Sequence, residues 1–358
     1  MAERPDIRED WKEVDAHATI DNGESLCILG PPGTGKSTLT CELVKKLRAR
    51  GDEVLCAAKT HVAASRLPGG ISANHLACAK IKRGRFPTWL VLDEISMIDT
   101  PLWAQISRLA FCGTNCILVG DWNQYQAIND RWCGQTTHTS AENSSLLWSM
   151  AGGNVCRLAV NHRSDPAIFD FCGSIVPGGS RAHLSMHEKV EEAKKEFPAT
   201  KRRADYSLVI SHAKRRRINH ELNVQLRPKN AVLLKAPTTK QANAPQDGYF
   251  WPGMNVVGCM DTKRGQLHNG GWYEIKACDH KAFRLKAENG SELNISAQEA
   301  LQKLRMSWAL TYASVQGLTL PGRVRLHDCD HPRMDWRKLN VGLSRGTRSD
   351  LVEIASDG

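Results

Sequence analysis

The chain has 358 residues, 41% of them hydrophobic and 24% charged, which is the balance of a globular protein with room for two or three domains. No stretch of about 18 apolar residues occurs and the charged N-terminus lacks the apolar segment of a secretory signal, so we expect an intracellular protein without a membrane span. The formal net charge of +10 favours a polyanionic partner.

Twelve cysteines are scattered without paired spacing, which is typical of a reducing compartment. Two groups contain possible metal ligands: Cys112 with Cys116, and residues 278–280 with His327, Cys329 and His331. No second Cys-x-x-Cys completes a tetrahedral set, so we expect these cysteines to be small buried hydrophobic residues.

Residues 30–38 read Gly-Pro-Pro-Gly-Thr-Gly-Lys-Ser-Thr and fit the phosphate-loop pattern G-x-x-x-x-G-K-[ST]. Glycines let the backbone curl so that its N–H groups point at phosphate oxygens, while Lys36 reaches the β and γ phosphates and Ser37 ligates Mg²⁺. The flanks predict a buried strand at 25–29 and an amphipathic helix at 39–48, whose positive end faces the anion. We therefore expect ATP and Mg²⁺ to bind through Gly30, Gly33, Thr34, Gly35, Lys36, Ser37 and Thr38.

Two further apolar strands end in polar side chains that suit hydrolysis. The strand 90–92 runs into Asp93, which can hold the Mg²⁺ shell, and Glu94, which can orient or deprotonate the attacking water. A strand from residue 115 ends in the segment 120–124, where Gln124 can sense the γ-phosphate and position water. The carboxyl ends of parallel strands share one edge of a sheet, so these side chains are predicted beside the phosphate loop.

Two arginines far along the chain, Arg163 and Arg345, each follow an apolar segment. Arginine fingers from a second domain have this arrangement, because a guanidinium stabilises charge on the transferring phosphoryl group. A single arginine is more often part of a surface ion pair, but the order of these two behind three nucleotide motifs favours the finger role.

Together these segments resemble a superfamily 1 helicase, and within it the RecD-like group of mitochondrial and viral 5′-to-3′ DNA helicases. The family's motifs are matched in order: motif I at 30–38, Ia at 59–64, the Thr-Ile-His element at 74–76, II at 93–94, III at 120–124, IV at 161–163, V at 311–319 and VI at 341–345. The resemblance implies ATP-driven movement along single-stranded nucleic acid, DNA in preference to RNA, in replication, repair or recombination. It also implies a nucleotide contact from Gln316 and strand contacts from Thr60, His61, His75, Trp122 and Thr319.

The chain departs from the family pattern at three places. Residues 124–127 read Gln-Tyr-Gln-Ala where the family continues Gln-Leu-Pro-Pro, and the family's Tyr-Arg of motif IV is His162-Arg163. The region 66–88, where relatives carry a wedge hairpin, is short, so a strand-separating pin is short or built elsewhere. Two strand-contact candidates also have a structural interpretation: Trp122 as a core residue and His75 as a buried, hydrogen-bonded histidine.

The predicted fold class is α/β, with two RecA-like parallel-sheet ATPase domains and a small all-β barrel inserted in the second. Residues 1–152 form the predicted first domain, 153–240 with 301–358 the second, and 241–300, with apolar bursts about ten residues apart, the inserted barrel. The charged segment 181–204 is expected to be a solvated helix and loop. We expect ATP between the two ATPase domains of a monomer, with replication or recombination proteins as further partners.

Three alternatives stay open. An RNA helicase of the viral superfamily 1 type has similar motifs V and VI, and motifs do not reveal recognition of the 2′-OH. A phosphate-loop ATPase or kinase that does not translocate is disfavoured by the two arginines and by Gln316-Gly317. A nucleic-acid-binding module with a degenerate ATPase is disfavoured because all the expected hydrolytic residues are present.

Overall fold

The computed structural model describes residues 10–77, 86–127, 130–137, 141–236, 246–260 and 267–355. The chain divides into two units, Met1–Arg163 and Ser164–Gly358. No helix in the described ranges combines the length and the apolar character that crossing a membrane requires.

The described part of the first unit contains nine strands: β1 (Lys12–Glu13), β2 (Leu26–Leu29), β3 (Val54–Ala58), β4 (Ile71–Ser72), β5 (Trp89–Asp93), β6 (Asn115–Gly120), β7 (Arg131–Trp132), β8 (Gln135–Thr136) and β9 (Asn154–Arg157). Strands β7 and β8 form a separate antiparallel hairpin, and the other seven form a parallel sheet in the order β1-β9-β2-β6-β5-β3-β4. The helices are α1 (Ala16–Asp21), α2 (Lys36–Ala49), α3 (His61–Ser65), α4 (Ala73–His75), α5 (Thr100–Phe111) and α6 (Ser145–Met150).

Both faces of this sheet are covered, which is why its central strands are continuous apolar runs. In β2, Leu26 and Ile28 pack with Leu43 and Leu47 of α2, whereas Cys27 belongs to the core cluster that also contains α5. The alternation follows from the two-residue period of an extended chain. The predicted strand at 25–29 is confirmed, and the following helix begins at Lys36, earlier than its apolar pattern indicated.

The boundary between the units corrects the predicted division at residue 152. Strand β9 pairs in parallel with β2, with Val155 opposite Cys27, so residues assigned to the second domain belong to the first sheet. The first unit therefore extends to Arg163.

The strands of the second unit are β10 (Tyr206–Val209), β11 (Val232–Leu234), β12 (Gly248–Phe250), β13 (Asn255–Gly258), β14 (Trp272–Cys278), β15 (Ala282–Ala287), β16 (Glu292–Ser296), β17 (Leu304–Met306), β18 (Ala309–Thr311), β19 (Val324–Leu326) and β20 (Val352–Ile354). Its helices are α7 (Pro166–Ile175), α8 (Met186–Glu196), α9 (His212–Leu226), α10 (Ala297–Lys303) and α11 (Trp336–Leu343). Four strands form a second parallel sheet in the order β18-β10-β19-β20, so the RecA-like α/β class is confirmed.

An antiparallel sheet is inserted in this unit, in the order β16-β15-β14-β13-β17. Alternate residues such as Phe283, Leu285, Leu293 and Ile295 are buried, and the exposed residues between them are polar or small. In the described residues the outer strands β16 and β17 pair only with β15 and β13, so the described sheet is open where a barrel was predicted. Strands β13 to β17 of this sheet run from residue 255 to 306, against the predicted 241–300, and β11 and β12 form a separate antiparallel pair.

The charged segment 181–204 contains α8, which begins with a capping box between Ser185 and Glu188. Val190 and Ala193 are buried, while Lys195 is largely exposed and bonds Glu192 one turn away. This is the predicted solvated helix, with one apolar side packed inward.

A buried carboxylate ties the outer strand of the second parallel sheet to its neighbour. Glu353 on β20 accepts hydrogen bonds from Arg323 Nη1 at 2.5 Å and from Arg325 Nε at 2.8 Å, and also from Thr200. Although burial opposes ionisation, these three donors hold the pKa of Glu353 below its ordinary value.

We predict that Glu353→Gln lowers the free energy of unfolding by about 3–5 kcal/mol at pH 7, because it leaves two arginines without their carboxylate. A lowered folded-state pKa stabilises the native state above the ordinary glutamate pKa, and this contribution is lost as the pH falls through the folded-state value. Denaturant unfolding across a pH series measures both effects, with exposed Glu292→Gln as the control. Equal stability of Glu353→Gln and wild type at pH 7 would contradict the assignment.

Candidate active site

The phosphate loop joins the end of β2 at Leu29 to the start of α2 at Lys36. Gly33 and Gly35 have φ values of 87° and 84°, in the left-handed region that favours glycine. A Cβ added at Gly30 would lie 2.5 Å from the carbonyl oxygen of Leu158, so this position also has no space for a side chain. The loop therefore curls tightly in front of the N-terminus of a 14-residue helix, which is a favourable place for an anion.

Lys36 lies over this loop. Its Nζ donates to the carbonyl oxygens of Gly30, at 2.5 Å, and Pro31, at 2.8 Å. Burial lowers the pKa of Lys36, whereas the carboxylates of Asp121, Glu94 and Asp93 act in the opposite direction. The pKa of the Lys36 ammonium group thus depends on its burial against the loop and on three acids from neighbouring strands.

Asp93 is the last residue of β5 and Glu94 follows it, so the predicted position of both acids at the end of this strand is observed, but their surroundings differ. Asp93 is buried, and its Oδ1 accepts a hydrogen bond of 2.8 Å from the backbone N–H of Glu94. Burial, followed by the negative charge of Glu94, raises the pKa of Asp93 to about 7. Glu94 is half-buried with a φ of 56°, an uncommon conformation for a non-glycine residue. An Asp93 carboxylate and a Ser37 hydroxyl are the hard oxygen donors that suit Mg²⁺.

The loop after β6 is held by Asp121, a residue to which the sequence analysis gave no role. Asp121 is buried and accepts from the backbone N–H of Asn123, at 2.9 Å, and from Nε2 of Gln124, at 3.0 Å. The Oε1 atom of Gln124 is buried and has no hydrogen-bond partner among the described residues. The Gln124 side chain is therefore fixed at one end and keeps an acceptor at the other. The acid directly after an apolar strand was the available signal for Asp121.

Arg163 lies beside the phosphate loop within the first unit, which corrects its predicted placement in the second domain. His162 N–H donates to the carbonyl of Gly33 at 2.8 Å, and a Cβ added at Gly33 would lie 3.0 Å from Cβ of Arg163. The reason is the pairing of β9 with β2, which brings the following residues 158–163 across the loop. The positive charge of Arg163 also contributes to lowering the pKa of Lys36.

Arg345 is 1% exposed and is enclosed by the second unit. Its guanidinium donates to the carbonyls of Val341, at 2.9 Å, Leu318, at 2.9 Å, and Val315, at 3.3 Å. It therefore joins the end of α11 to the loop that contains Gln316. A phosphate contact from Arg345, as predicted, would require these bonds to break.

The predicted strand contacts lie in different environments. His75 and Thr319 are exposed, so the interpretation of His75 as a buried histidine is wrong. Thr60 caps α3 by accepting from Ala63 N–H at 3.1 Å, and His61 follows it, half-buried. Trp122 is 8% exposed and packs in the core cluster beside α5, as its structural interpretation predicted.

The cysteine groups do not assemble as metal sites in the described residues. Cys116 and Cys329 are buried as expected, whereas Cys112 is exposed. The set of potential ligands that does come together is His187, Glu191 and Asp330, and there the Lys194 ammonium already bonds both carboxylates.

Comparisons with known proteins agree with this fold. Residues 12–159 match the AAA_30 family, described as an AAA domain. The ATP-dependent DNA helicase PIF1 of Emericella nidulans is 29% identical over 142 residues, covering 31% of this chain and 19% of that protein. The Pif1 helicase of a Psychrobacter species is 25% identical over 179 residues, covering 42% of this chain and 27% of that protein. The chain thus matches less than a third of the length of these relatives.

Solved structures extend the likeness to both units. The Pif1 helicase of Candida albicans superposes with a TM-score of 0.68 over 95% of this chain and 93% of that one, at 18% identity. A Bacteroides Pif1 helicase in complex with ADP-AlF3 and single-stranded DNA superposes with a TM-score of 0.66 over 96% of this chain and 92% of that one, at 16% identity. Residues 12–159 are therefore similar in sequence to the AAA domain family, and the chain shares the fold of these solved structures. The resemblance to superfamily 1 DNA helicases of the Pif1/RecD-like group is confirmed.

We predict that Gly33→Ala weakens binding of a fluorescent ATP analogue at least about tenfold, because a side chain here is strained and pushes against Arg163. Gly51→Ala is a matched control, since Gly51 has a φ of 88° and nothing within 4 Å of its added Cβ. Both variants should show the backbone strain of a side chain at positive φ, and only Gly33→Ala should lose affinity. Equal affinity in the two variants would mean that the loop does not hold the nucleotide.

Proposed function

We propose that this chain is an ATP-dependent helicase that moves along single-stranded DNA in the 5′-to-3′ direction. The observation that carries the proposal is the convergence of four segments of the first unit on one edge of its sheet. The carboxyl ends of β2, β5, β6 and β9, with the segments that follow them, supply a lysine, three acids, a glutamine and an arginine around a phosphate loop.

In the proposed reaction, Lys36 and the loop N–H groups bind the phosphates, and Ser37 and Asp93 hold Mg²⁺. Bound Mg²⁺ would supply positive charge that favours the ionised form of Asp93. Glu94 orients and deprotonates the attacking water, with Oε1 of Gln124 as a further acceptor for it. Arg163 stabilises the charge that develops on the transferring phosphoryl group.

Arg345 has a different proposed role because of its hydrogen bonds. It holds the loop 315–318, and with it Gln316, against α11, so it is a positioning residue in this arrangement. The finger role predicted from its motif remains an alternative that would require a second arrangement of this loop.

The DNA partner is supported by charge and by likeness. The net charge of +10 suits a phosphate backbone, and the curated relatives are named DNA helicases. The Bacteroides structures carry single-stranded DNA on a chain of this fold. A kinase or an ATPase without movement is less well supported, because the likeness includes the second unit and not the phosphate-loop unit alone. The direction of movement rests on the RecD-like resemblance.

We predict that single-stranded DNA raises the ATPase rate, binds less tightly as salt increases, and supports unwinding of duplexes with a 5′ tail. The logarithm of affinity should fall linearly with the logarithm of salt concentration, since backbone contacts release counterions. Glu94→Gln is the control, because it should bind ATP and the strand without unwinding.

Two results would contradict parts of this proposal separately. Unwinding of 3′-tailed duplexes alone would contradict the direction. Absence of stimulation by DNA and by RNA of the same sequence at every salt concentration would contradict the helicase function, whereas stimulation by RNA alone would favour the viral RNA-helicase alternative.

A further inference from the structure

A cavity of about 430 Å³ lies in the first unit, behind the loops that follow β5 and β6. Its lining includes Ser96, Trp103 of α5, Trp122, Trp132 of the β7–β8 hairpin and Thr137. The nucleotide-site residues lie on the same two loops but do not line it. The volume is in the range of small-molecule sites, and the cavity is distinct from the phosphate loop.

Three polar atoms of this lining are buried without any hydrogen-bond partner among the described residues. They are the Ser96 hydroxyl, the Trp103 indole N–H and the Thr137 hydroxyl. Ser96 and Trp103 are only 4% and 5% exposed. Each unmade hydrogen bond costs about 1–3 kcal/mol, so buried polar groups are normally paired. Their presence around one cavity indicates a place for a ligand with polar edges.

The chemistry of the wall restricts that ligand. Three tryptophans line the cavity, and no lysine or arginine is found among its described lining residues. The carboxylate of Asp130 is already used, since it accepts from Thr100 N–H at 2.9 Å and from Thr100 Oγ1 at 2.7 Å. A phosphate would therefore have no cation here, whereas a neutral planar ring would have indole faces to pack on.

The cavity adjoins both catalytic loops. Ser96 lies in the turn Ile95–Met97 that begins at Glu94, and Trp122 lies between Asp121 and Gln124. An occupant would contact the same two segments that carry the proposed base and the proposed water-positioning residue. Trp132 is 47% exposed and provides an aromatic surface at the solvent side.

We propose that this cavity binds a nucleobase of the single strand, and that its occupancy fixes the loops carrying Glu94 and Gln124 for hydrolysis. The proposal rests on the proposed helicase function and adds a defined base site to it. A base offers the ring donors and acceptors that match the indole N–H and the two hydroxyls, which an aliphatic side chain of a partner protein does not. Strand binding then has a direct structural route to the ATPase site.

The test uses a set of oligonucleotides, each with one abasic position, and measures strand affinity and ATPase stimulation of the full chain. For wild type, one abasic position should lower affinity and stimulation at least about fivefold, the effect of losing one stacked base. Trp103→Phe keeps the ring but removes the N–H, and Ser96→Ala removes the hydroxyl. Both should bind the intact strand more weakly and should lose most of the penalty at that same abasic position.

Ser107→Ala is the matched control, because Ser107 is an equally buried serine on α5 whose hydroxyl donates to the Ala104 carbonyl. Ser107→Ala should show the wild-type strand affinity and the wild-type sensitivity to the abasic position. Thermal unfolding of each variant checks the fold. The base site would be overturned if DNA stimulates the wild-type ATPase but no abasic position lowers affinity or stimulation. It would also be overturned if the sensitive abasic position lowers affinity as much in Trp103→Phe and Ser96→Ala as in wild type. Either result would leave the helicase function standing. No strand binding by wild type would overturn both.

Discussion

The parallel pairing of β2 with β6 on one side and β9 on the other is the constraint on which the candidate active site depends. It places Leu29, Gly120 and Arg157 at one edge of the sheet, in hydrogen-bond register. The phosphate loop, the Asp121 loop and the segment before Arg163 all start from this edge. Since β5 lies next to β6, the same edge also receives Asp93 and Glu94. Backbone pairing thus brings candidate residues from four distant parts of the sequence to one edge of the sheet.

This arrangement puts like and unlike charges close together in a region of low solvent access. Burial raises the pKa of Asp93 and lowers that of Lys36, so both groups are shifted toward their neutral forms. The proposed magnesium nucleotide would bring phosphate charge to the lysine and metal charge to the aspartate, and both charges would oppose these pKa shifts. The electrostatic environment is thus favourable for the ligand that the loop sequence predicts.

Local patterns predicted the parts of the site that are encoded within a few residues. Local sequence was sufficient to predict the phosphate loop, the acids at the end of β5 and the apolar strands, because each depends on residues that are neighbours in sequence. Long-range strand pairing could not be predicted from the sequence. Because β9 pairs with β2, Arg163 belongs to the first unit. The burial of Arg345 among carbonyls and the cavity behind Trp122 depend on tertiary packing, which a motif does not specify. The pairing of strands in the inserted sheet likewise depends on tertiary packing, and apolar spacing does not determine it.

Arg163 lies against the phosphate loop, and steady-state ATPase kinetics of Arg163→Ala with saturating single-stranded DNA measure its contribution to hydrolysis. An arginine that stabilises the transferring phosphoryl group is worth about 10³ or more in kcat. We expect this role of Arg163 to appear as a fall in kcat of at least about 10² with ATP affinity changed only a few-fold, because the interaction acts mainly in the transition state. A wild-type kcat in Arg163→Ala would contradict it.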